Sequence, residues 1–139
     1  MIKYRNEIPN ANDYWLRYLS SGWNAVYNLD EKSIKRAIKN SSFAVSAYSS
    51  DQLVGFERAM SDKILYATIY DVMVLPNYQG QGIGQVLVES IAKQCKDAGV
   101  NSIHSFAAES TEGFYNQLGF QAMPANMPGM RYQPKTLTM

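Results

Sequence analysis

Three glycines occur at alternate positions in the middle of the chain, within the segment Gln79-Gly80-Gln81-Gly82-Ile83-Gly84. The residues before this segment alternate like a strand and those after it follow a helical period, so the glycines fall at a strand-to-helix turn. Because glycine has no Cβ, the backbone N–H groups of such a turn stay accessible, and a helix N-terminus favours an anion. The segment therefore predicts a cradle for a phosphate or diphosphate group.

The residues around the glycines decide between kinds of phosphate site. A P-loop requires a lysine and then Ser or Thr after its last glycine, but Gln85 and Val86 stand there, so nucleoside triphosphate hydrolysis is excluded. A dinucleotide fold requires G-x-G-x-x-G directly after a strand, whereas these glycines run at steps of two and follow an intervening segment from Pro76 to Gln79. What remains is a diphosphate held by backbone amides without a metal.

The glycine segment resembles the acetyl-CoA signature of the GNAT superfamily of N-acetyltransferases, Q/R-x-x-G-x-G/A at the start of a long helix. A second family mark is an aromatic-Tyr pair three residues before Gly-Phe, present here from Phe114 to Phe120. Three further stretches resemble the arylalkylamine (serotonin) N-acetyltransferases of plants and cyanobacteria and their short bacterial relatives: Leu53 to Asp62, Ala67 to Val72, and Gly129-Met130.

The resemblance implies a binding mode for acetyl-CoA, the expected cosubstrate. Backbone groups of Met73 and Val74 would pair with the pantetheine arm as if it were an added strand. Many family members place an Asn near the pantetheine, seven residues before the tyrosine, but this chain has Ala108 there. Ser110 is the candidate replacement. The diphosphate would lie on the amides of six residues: Gln79, Gly80, Gln81, Gly82, Ile83 and Gly84.

Acetyl transfer to an amine needs a base, because an alkyl ammonium with a pKa of about 10 has no free lone pair at pH 7. Asp71, which matches a strand carboxylate of the arylalkylamine relatives, is the first candidate. Since an aspartate has an ordinary pKa of about 3.9, Asp71 must be buried, work through water or simply anchor the cation. Glu57 is the second candidate, and its alternative is a surface ion pair with Arg58 or a lysine. By resemblance, Tyr115 would donate to the leaving thiolate.

Two other reactive side chains are predicted to be structural. Cys95 lies mid-helix at apolar spacing with no adjacent histidine, which favours inert packing over an acetyl-enzyme. His104 has no second His or Cys at ligand spacing, so no metal site is expected. Direct transfer in a ternary complex follows as the expected mechanism.

The acceptor pocket is predicted from the crowding of aromatic residues before residue 30, a region that covers the acceptor in the superfamily. Such residues suit a flat or apolar amine, although core packing has even odds for each. The loop from Ala122 to Gly129 is the other expected wall. The aromatic residues concerned are Tyr14, Trp15, Tyr18, Trp23 and Tyr27.

These residues have to be positioned by a mixed α/β sheet. The chain reads as a strand (1–6), a helix capped by Asn12 or Asp13 and a helix from Asp30, followed by a three-stranded meander, 43–48, 53–60 and 64–75. A helix over 84–98, stopped at Gly99, and a strand over 102–108 must form a parallel crossover. A short helix over 111–118 and a final hairpin, 120–123 with 130–132, complete the expected GNAT fold, with its mostly antiparallel sheet and flanking helices.

Length and composition agree with one globular domain over residues 1–139. The chain is 46% hydrophobic and 18% charged, which is sufficient for a packed core. Its net charge of +1 disfavours nucleic acid as a partner. Charged residues interrupt the first 23 positions, so no signal or membrane segment is expected, and a single cysteine is consistent with the cytoplasm.

The predicted function is acetyl-CoA-dependent transfer of an acetyl group to a primary amine, possible substrates including arylalkylamines and other small amines. A non-catalytic acyl-CoA binding or sensor module is the alternative. A nucleotide-binding domain of the Rossmann type is disfavoured by the meander that precedes the glycines. Exposed strand edges and a nearly neutral surface make a homodimer plausible.

Overall fold

The computed structural model describes residues 1–22, 28–108 and 110–133, with Asp71 described by its backbone alone. The chain divides into two compact units, Met1–Ser105 and Phe106–Met139. The single domain expected over residues 1–139 stays a prediction. No helix of the described residues has the length and apolar character that crossing a membrane requires.

The first unit is built on a five-stranded sheet in the order β1-β2-β3-β4-β5. Neighbouring strands are antiparallel except β4 and β5, which are parallel, so the mixed sheet and its crossover are confirmed. The strands are β1 (Ile2–Arg5), β2 (Phe43–Ser49), β3 (Gln52–Ser61), β4 (Tyr66–Val74) and β5 (Ser102–Ser105).

Short turns impose the antiparallel order of β2, β3 and β4. Two residues connect β2 to β3, and Ser50 there has a positive φ of 52°. The turn from β3 to β4 is held by Asp62, whose Oδ1 accepts backbone N–H bonds from residues 64, 65 and 66 at 2.8–3.1 Å. These bonds hold the pKa of Asp62 below its ordinary value. The predicted meander is confirmed.

Helices α1 (Ala11–Ser21) and α2 (Glu31–Lys39) cover one face of the sheet. Asn10, rather than the predicted Asn12 or Asp13, caps α1, because its side chain accepts from the backbone N–H groups of both. Asp30 caps α2 as predicted, accepting from the Ser33 N–H at 2.8 Å. Side chains of both helices pack on the sheet in one core cluster: Tyr14, Tyr18, Ile34, Ile38, Ala44, Phe56 and Met73.

Helix α3 (Ile83–Asp97) covers the opposite face. Phe56 packs in the α1 cluster, so its neighbour Gly55 faces the other way. A Cβ on Gly55 would lie 3.2 Å from the Ile83 side chain and 3.3 Å from that of Leu87, which places α3 over this face. Gly99, with a φ of +85°, follows the end of the helix as predicted, because a left-handed residue suits glycine there.

The second unit contains helix α4 (Glu112–Gln117), followed by Gly119 with a φ of +92°. The predicted final hairpin is wrong: residues 120–133 form no strand. Pro124 has no backbone N–H for a ladder, and its carbonyl accepts a turn bond from the Met127 N–H at 2.8 Å. The backbone of Gly129 packs closely against the ring of Phe106, because a Cβ on Gly129 would lie 2.8 Å from that ring.

Candidate functional site

The second half of β4 has an open edge. Strand β5 pairs with β4 only from Tyr66 to Ile69. On that side, no strand of the described residues pairs with the remainder of β4, from Tyr70 to Val74. An edge of unpaired N–H and C=O groups can accept an added extended segment. The first unit therefore offers a place for an extended amide-containing ligand beside Met73 and Val74.

A β-bulge interrupts β4 at the beginning of this open edge. Phe56 pairs with Met73 and Arg58 with Tyr70, so two residues of β4, at positions 71 and 72, oppose the single residue at position 57. A bulge bends its strand and redirects the backbone groups. The backbone of Asp71 lies in this bulge, two residues beyond Ile69, the last residue of β4 that pairs with β5.

The glycine turn follows directly from β4, through a 3₁₀ turn over Pro76–Tyr78. Gly80 and Gly82 have φ values of +79° and +84°, which side-chain-bearing residues rarely adopt. Apart from the glycine itself and its two chain neighbours, no heavy atom of the described residues lies within 4 Å of where a Cβ would stand on either glycine. The turn is therefore not filled by the protein's own side chains and leaves space next to its backbone.

Helix α3 starts at this turn with Gly82 as its N-cap and with no side-chain hydrogen bond capping it among the described residues. The first N–H groups of an α-helix have no partner inside the helix. Together with the helix dipole, they form a site for an anion. The turn and the start of α3 thus have the geometry that a diphosphate requires.

Two glutamines of the turn fold back onto its own backbone. The Gln79 Nε2 donates to the Val74 carbonyl at 3.0 Å, and the Gln81 Nε2 donates to the Asn77 carbonyl at 3.4 Å. The first bond ties the end of β4's open edge to the glycine turn. The residues predicted to contact pantetheine therefore adjoin those predicted to contact the diphosphate. Of the former, Met73 is buried and Val74 is half-buried.

A cavity of about 250 Å³ lies between α1 and the end of β4. It is lined by Arg17, Ser20 and Ser21 from α1, by residues 72–76 and by Gln79. Sequence reasoning did not select Arg17. The available signal was a cation within an otherwise apolar and aromatic helix, followed by two serines, which is too common a pattern to single out a site.

Three of the aromatic residues expected to wall the acceptor pocket, Tyr14, Trp15 and Tyr18, pack in or against the core cluster instead. Tyr14 is 2% exposed and contacts the ring of Phe56 edge to face at 5.1 Å. Tyr18 is buried and Trp15 stacks on it at 5.8 Å. The described aromatic residues are therefore absent from the cavity lining. Trp23 and Tyr27 lie outside the described residues.

Glu57 is fully buried on the α3 face, and neither of its carboxyl oxygens has a hydrogen-bond partner within the described residues. Burial raises its pKa to about 9, so the side chain is a neutral acid at pH 7. The surface ion pair weighed for Glu57 is wrong, because the side chain does not reach the surface. Nor does Glu57 line the cavity.

Cys95 lies fully buried on the same face. Its burial, followed by the proximity of Glu57, raises the pKa of the thiol to about 11. A thiol in this state is a poor nucleophile, which agrees with the predicted packing role. His104 lies half-buried, 6.4 Å from the Tyr66 ring. Within the described ranges, no three His, Cys, Asp or Glu side chains are grouped to hold a metal ion.

The other predicted site residues belong to the second unit. Tyr115 lies in α4, half-buried, with its ring edge to face against Phe114 at 5.2 Å and Phe120 at 5.6 Å. Those contacts fix the ring by packing on both sides. Ser110 is exposed and has a φ of +69°, an unusual conformation for a residue with a side chain. The roles of both residues stay predictions.

An open-edged mixed sheet that runs into a glycine turn at a helix start is the arrangement expected for an acyl-CoA-dependent acyltransferase. The model of the acetyltransferase (GNAT) domain matches residues 19–134, and the chain therefore belongs to the GNAT family of N-acetyltransferases. The match includes parts of both units. Acetyl-CoA is the cosubstrate that this family uses.

Individual relatives agree with this assignment. The chain is 38% identical over 138 residues to an uncharacterized N-acetyltransferase ycf52 of Porphyra purpurea, covering 95% of this chain and 78% of the relative. It is 31% identical over 106 residues to serotonin N-acetyltransferase 2, chloroplastic, of Oryza sativa subsp. japonica, covering 73% of this chain and 53% of that protein. A crystal structure of a probable acetyltransferase from meticillin-resistant Staphylococcus aureus has a TM-score of 0.80 and 26% identity, covering 96% and 100% of the two chains.

Proposed function

We propose that the chain transfers an acetyl group from acetyl-CoA to a primary amine, directly and within a ternary complex. The observation that carries this proposal is the continuity of two backbone features, the open edge of β4 and the glycine turn at the start of α3. The edge from Met73 to Val74 suits the amides of pantetheine, and the turn from Gln79 to Gly84 suits the diphosphate. Side-chain chemistry then has to act only at the thioester.

Asp71 is our proposed base, and its backbone position at the β4 bulge supports this choice. The acceptor ammonium must first lose a proton to expose its lone pair, and Asp71 accepts that proton directly or through water. A second proton passes to solvent as the nitrogen bonds to the thioester carbon. When the carbon–sulfur bond breaks, Tyr115 donates a hydrogen bond to the sulfur of the departing thiolate. Glu57 was the second candidate for the base, but its sealed position favours a structural role.

The alternative is a module that binds acyl-CoA without catalysis. Both proposals require CoA binding, so the two are separated by turnover. The homodimer, the cytoplasmic location and the Ser110 contact stay predictions of the sequence.

The first test measures binding and turnover separately. Calorimetric titration with CoA, NAD and ATP should show saturable binding of CoA alone. Thiol release from acetyl-CoA should then depend on an added amine, across a panel of arylalkylamines, polyamines, amino acids and peptide N-termini. Binding of CoA without amine-dependent thiol release would leave the non-catalytic module as the correct function.

Tyr115→Phe tests the role of the phenol. Since this change removes only the hydroxyl, we expect kcat to fall about 10- to 100-fold, while the Kd for CoA changes less than about twofold. Tyr132→Phe is the matched control, because Tyr132 is 84% exposed and has no assigned role. Equal losses in turnover and CoA affinity would contradict the assignment.

A further inference from the structure

Among the described side chains, no carboxylate neutralises the cation in the cavity under α1. The described lining residues include Arg17, two serines and the end of β4, but no Asp or Glu. Among the described residues, Arg17 forms no salt bridge, whereas Arg5 pairs with Glu7 at 3.6 Å. An unneutralised cation in a partly enclosed pocket attracts an anion more strongly than one in open water.

Arg17 is also fixed in place. Its Nε donates to the Leu53 carbonyl at 2.9 Å, and the side chain is partly buried. That bond uses one of the five guanidinium N–H groups, so the two terminal nitrogens keep their donors. A guanidinium held in this way has lost part of its rotational freedom before any ligand binds, which favours a two-bonded contact to a carboxylate or phosphate.

The start of α3 and Arg17 lie on opposite faces of the sheet, although Gln79 belongs both to the glycine turn and to the cavity lining. The start of α3 lies on the face of the sheet to which Gly55 points. Arg17 belongs to α1, which packs on the opposite face with Phe56 and Met73. The open edge of β4 lies between the two positions. A ligand beside that edge would therefore meet the amides of α3 on one face and Arg17 on the other.

We propose that Arg17 binds an anionic group, a carboxylate or a phosphate, carried by the amine acceptor. This inference rests on the proposed acetyl transfer and specifies its substrate class. The acceptor is then an amino acid or an amino phosphate rather than a simple arylalkylamine. Arg17, Ser20, Ser21 and Gln79 give the cavity polar groups for such an anion, whereas Tyr14 and Tyr18 are buried in the core.

The first experiment compares matched acceptors on the wild-type enzyme by thiol release. The pairs differ only in the anion: phenylalanine with phenethylamine, 4-aminobutyrate with propylamine, and phosphoethanolamine with ethanolamine. We expect kcat/KM to be at least about tenfold higher for the anionic member of one pair or more, as for a charge-assisted hydrogen bond. Equal or better turnover of the anion-free member in every pair would overturn the inference.

Arg17→Gln then tests the residue itself. The preference for the anionic acceptor should fall about 10- to 100-fold, mainly through KM, while Arg17→Lys should keep part of it. Arg5→Gln is the matched control, since it removes an arginine that pairs with Glu7 outside the cavity; its preference should equal that of the wild type. An unchanged preference in Arg17→Gln would refute the role.

Binding of CoA and dephospho-CoA to the same variants identifies the source of the anion. We expect Arg17→Gln to bind both as the wild type does, within about twofold. A loss of affinity for CoA but not for dephospho-CoA would assign Arg17 to the 3′-phosphate of the cosubstrate, and an equal loss for both would assign it to the diphosphate; either result would overturn the inference.

A test on the wild type covers the case in which Arg17→Gln does not fold because the bond to Leu53 is lost. The inhibition constants of 3-phenylpropionate and 3-phenylpropanol are measured in competition with the acceptor and compared with each other. The carboxylate should bind at least about tenfold more tightly, and equal inhibition would contradict the inference. Thiol release with anion-free amines alone would overturn the Arg17 assignment only. No release with any amine would overturn the proposed function and this inference with it.

Discussion

The two faces of the sheet treat a charged side chain in opposite ways. Under α3, the Glu57 carboxyl is completely enclosed, and desolvation raises its pKa to about 9. Under α1, Arg17 stays partly exposed at a cavity and is held by a hydrogen bond to the Leu53 carbonyl. Glu57 is therefore uncharged on the α3 face, whereas the Arg17 cation on the α1 face stays accessible.

The difference shows that an unpartnered polar group marks a ligand site only when a ligand can reach it. Glu57 is the more perturbed group, and perturbed carboxyls often accompany catalysis. Glu57 does not line the cavity under α1, whereas Arg17 does. On the α3 face, ligand binding is therefore expected from the backbone at the helix start, and not from the buried acid.

Gly82→Val tests whether the backbone at the start of α3 binds CoA, and it has the largest expected effect. The substitution puts a branched side chain beside the amides at the start of α3, in space that is open without a ligand. We expect the affinity for CoA to fall at least about 100-fold, because the diphosphate loses its space and its donors. Calorimetric titration with CoA measures the effect.

Gly99→Val is the control for Gly82→Val. Gly99 has a similar φ of +85° and an equally open Cβ position, but it lies at the other end of α3. Both changes should destabilise the fold by a similar amount, about 1–2 kcal/mol for a left-handed residue with a side chain. Only Gly82→Val should lose CoA binding. Equal CoA affinity in the two variants would remove the glycine turn from the site.

Glu57→Gln tests the enclosure of the Glu57 carboxyl through its effect on stability. The pKa of Glu57 rises from 4.5 to about 9 on folding, so the native state keeps a proton that the unfolded chain releases. The contribution of Glu57 to stability is therefore largest below pH 4.5 and falls as pH rises towards 9, by about 1.4 kcal/mol per pH unit. At pH 7, glutamine should make the protein about 3 kcal/mol more stable than the wild type, with little difference at pH 4.

Urea unfolding of the wild type and of Glu57→Gln at pH 4, 7 and 8.5 measures this difference. Glu89→Gln is the control, because Glu89 is an exposed residue of the same helix that covers Glu57. Its stability should follow that of the wild type at each pH. Parallel curves for the wild type and Glu57→Gln would show that the carboxyl ionises freely and is not sealed.

The sequence was sufficient for elements whose local signals agree. The meander followed from short turns between β-branched runs, and α3 followed from its apolar spacing and Gly99. The cap of α1 was less certain because Asn10, Asn12 and Asp13 are all good capping residues. The helix begins at Ala11, so the Asn10 side chain is the one that reaches the N–H groups of Asn12 and Asp13.

The candidate site was predictable where it depends on the backbone and not where it depends on packing. Glycine spacing identified the turn from Gln79 to Gly84, because few side-chain types permit its conformation. Glu57 was misjudged as a surface group, since alternation along β3 does not reveal that α3 covers that face. Arg17 could not be selected as a site residue without knowing which face of α1 lies over β4.

The central claim is that backbone amides at the end of β4 and the start of α3 hold CoA. Amide chemical shifts of ¹⁵N-labelled protein during a CoA titration test this most directly. The account predicts saturable changes that are largest from Gln79 to Gly84 and at Met73 and Val74. Saturable changes centred elsewhere in the chain, with those amides unmoved, would contradict it.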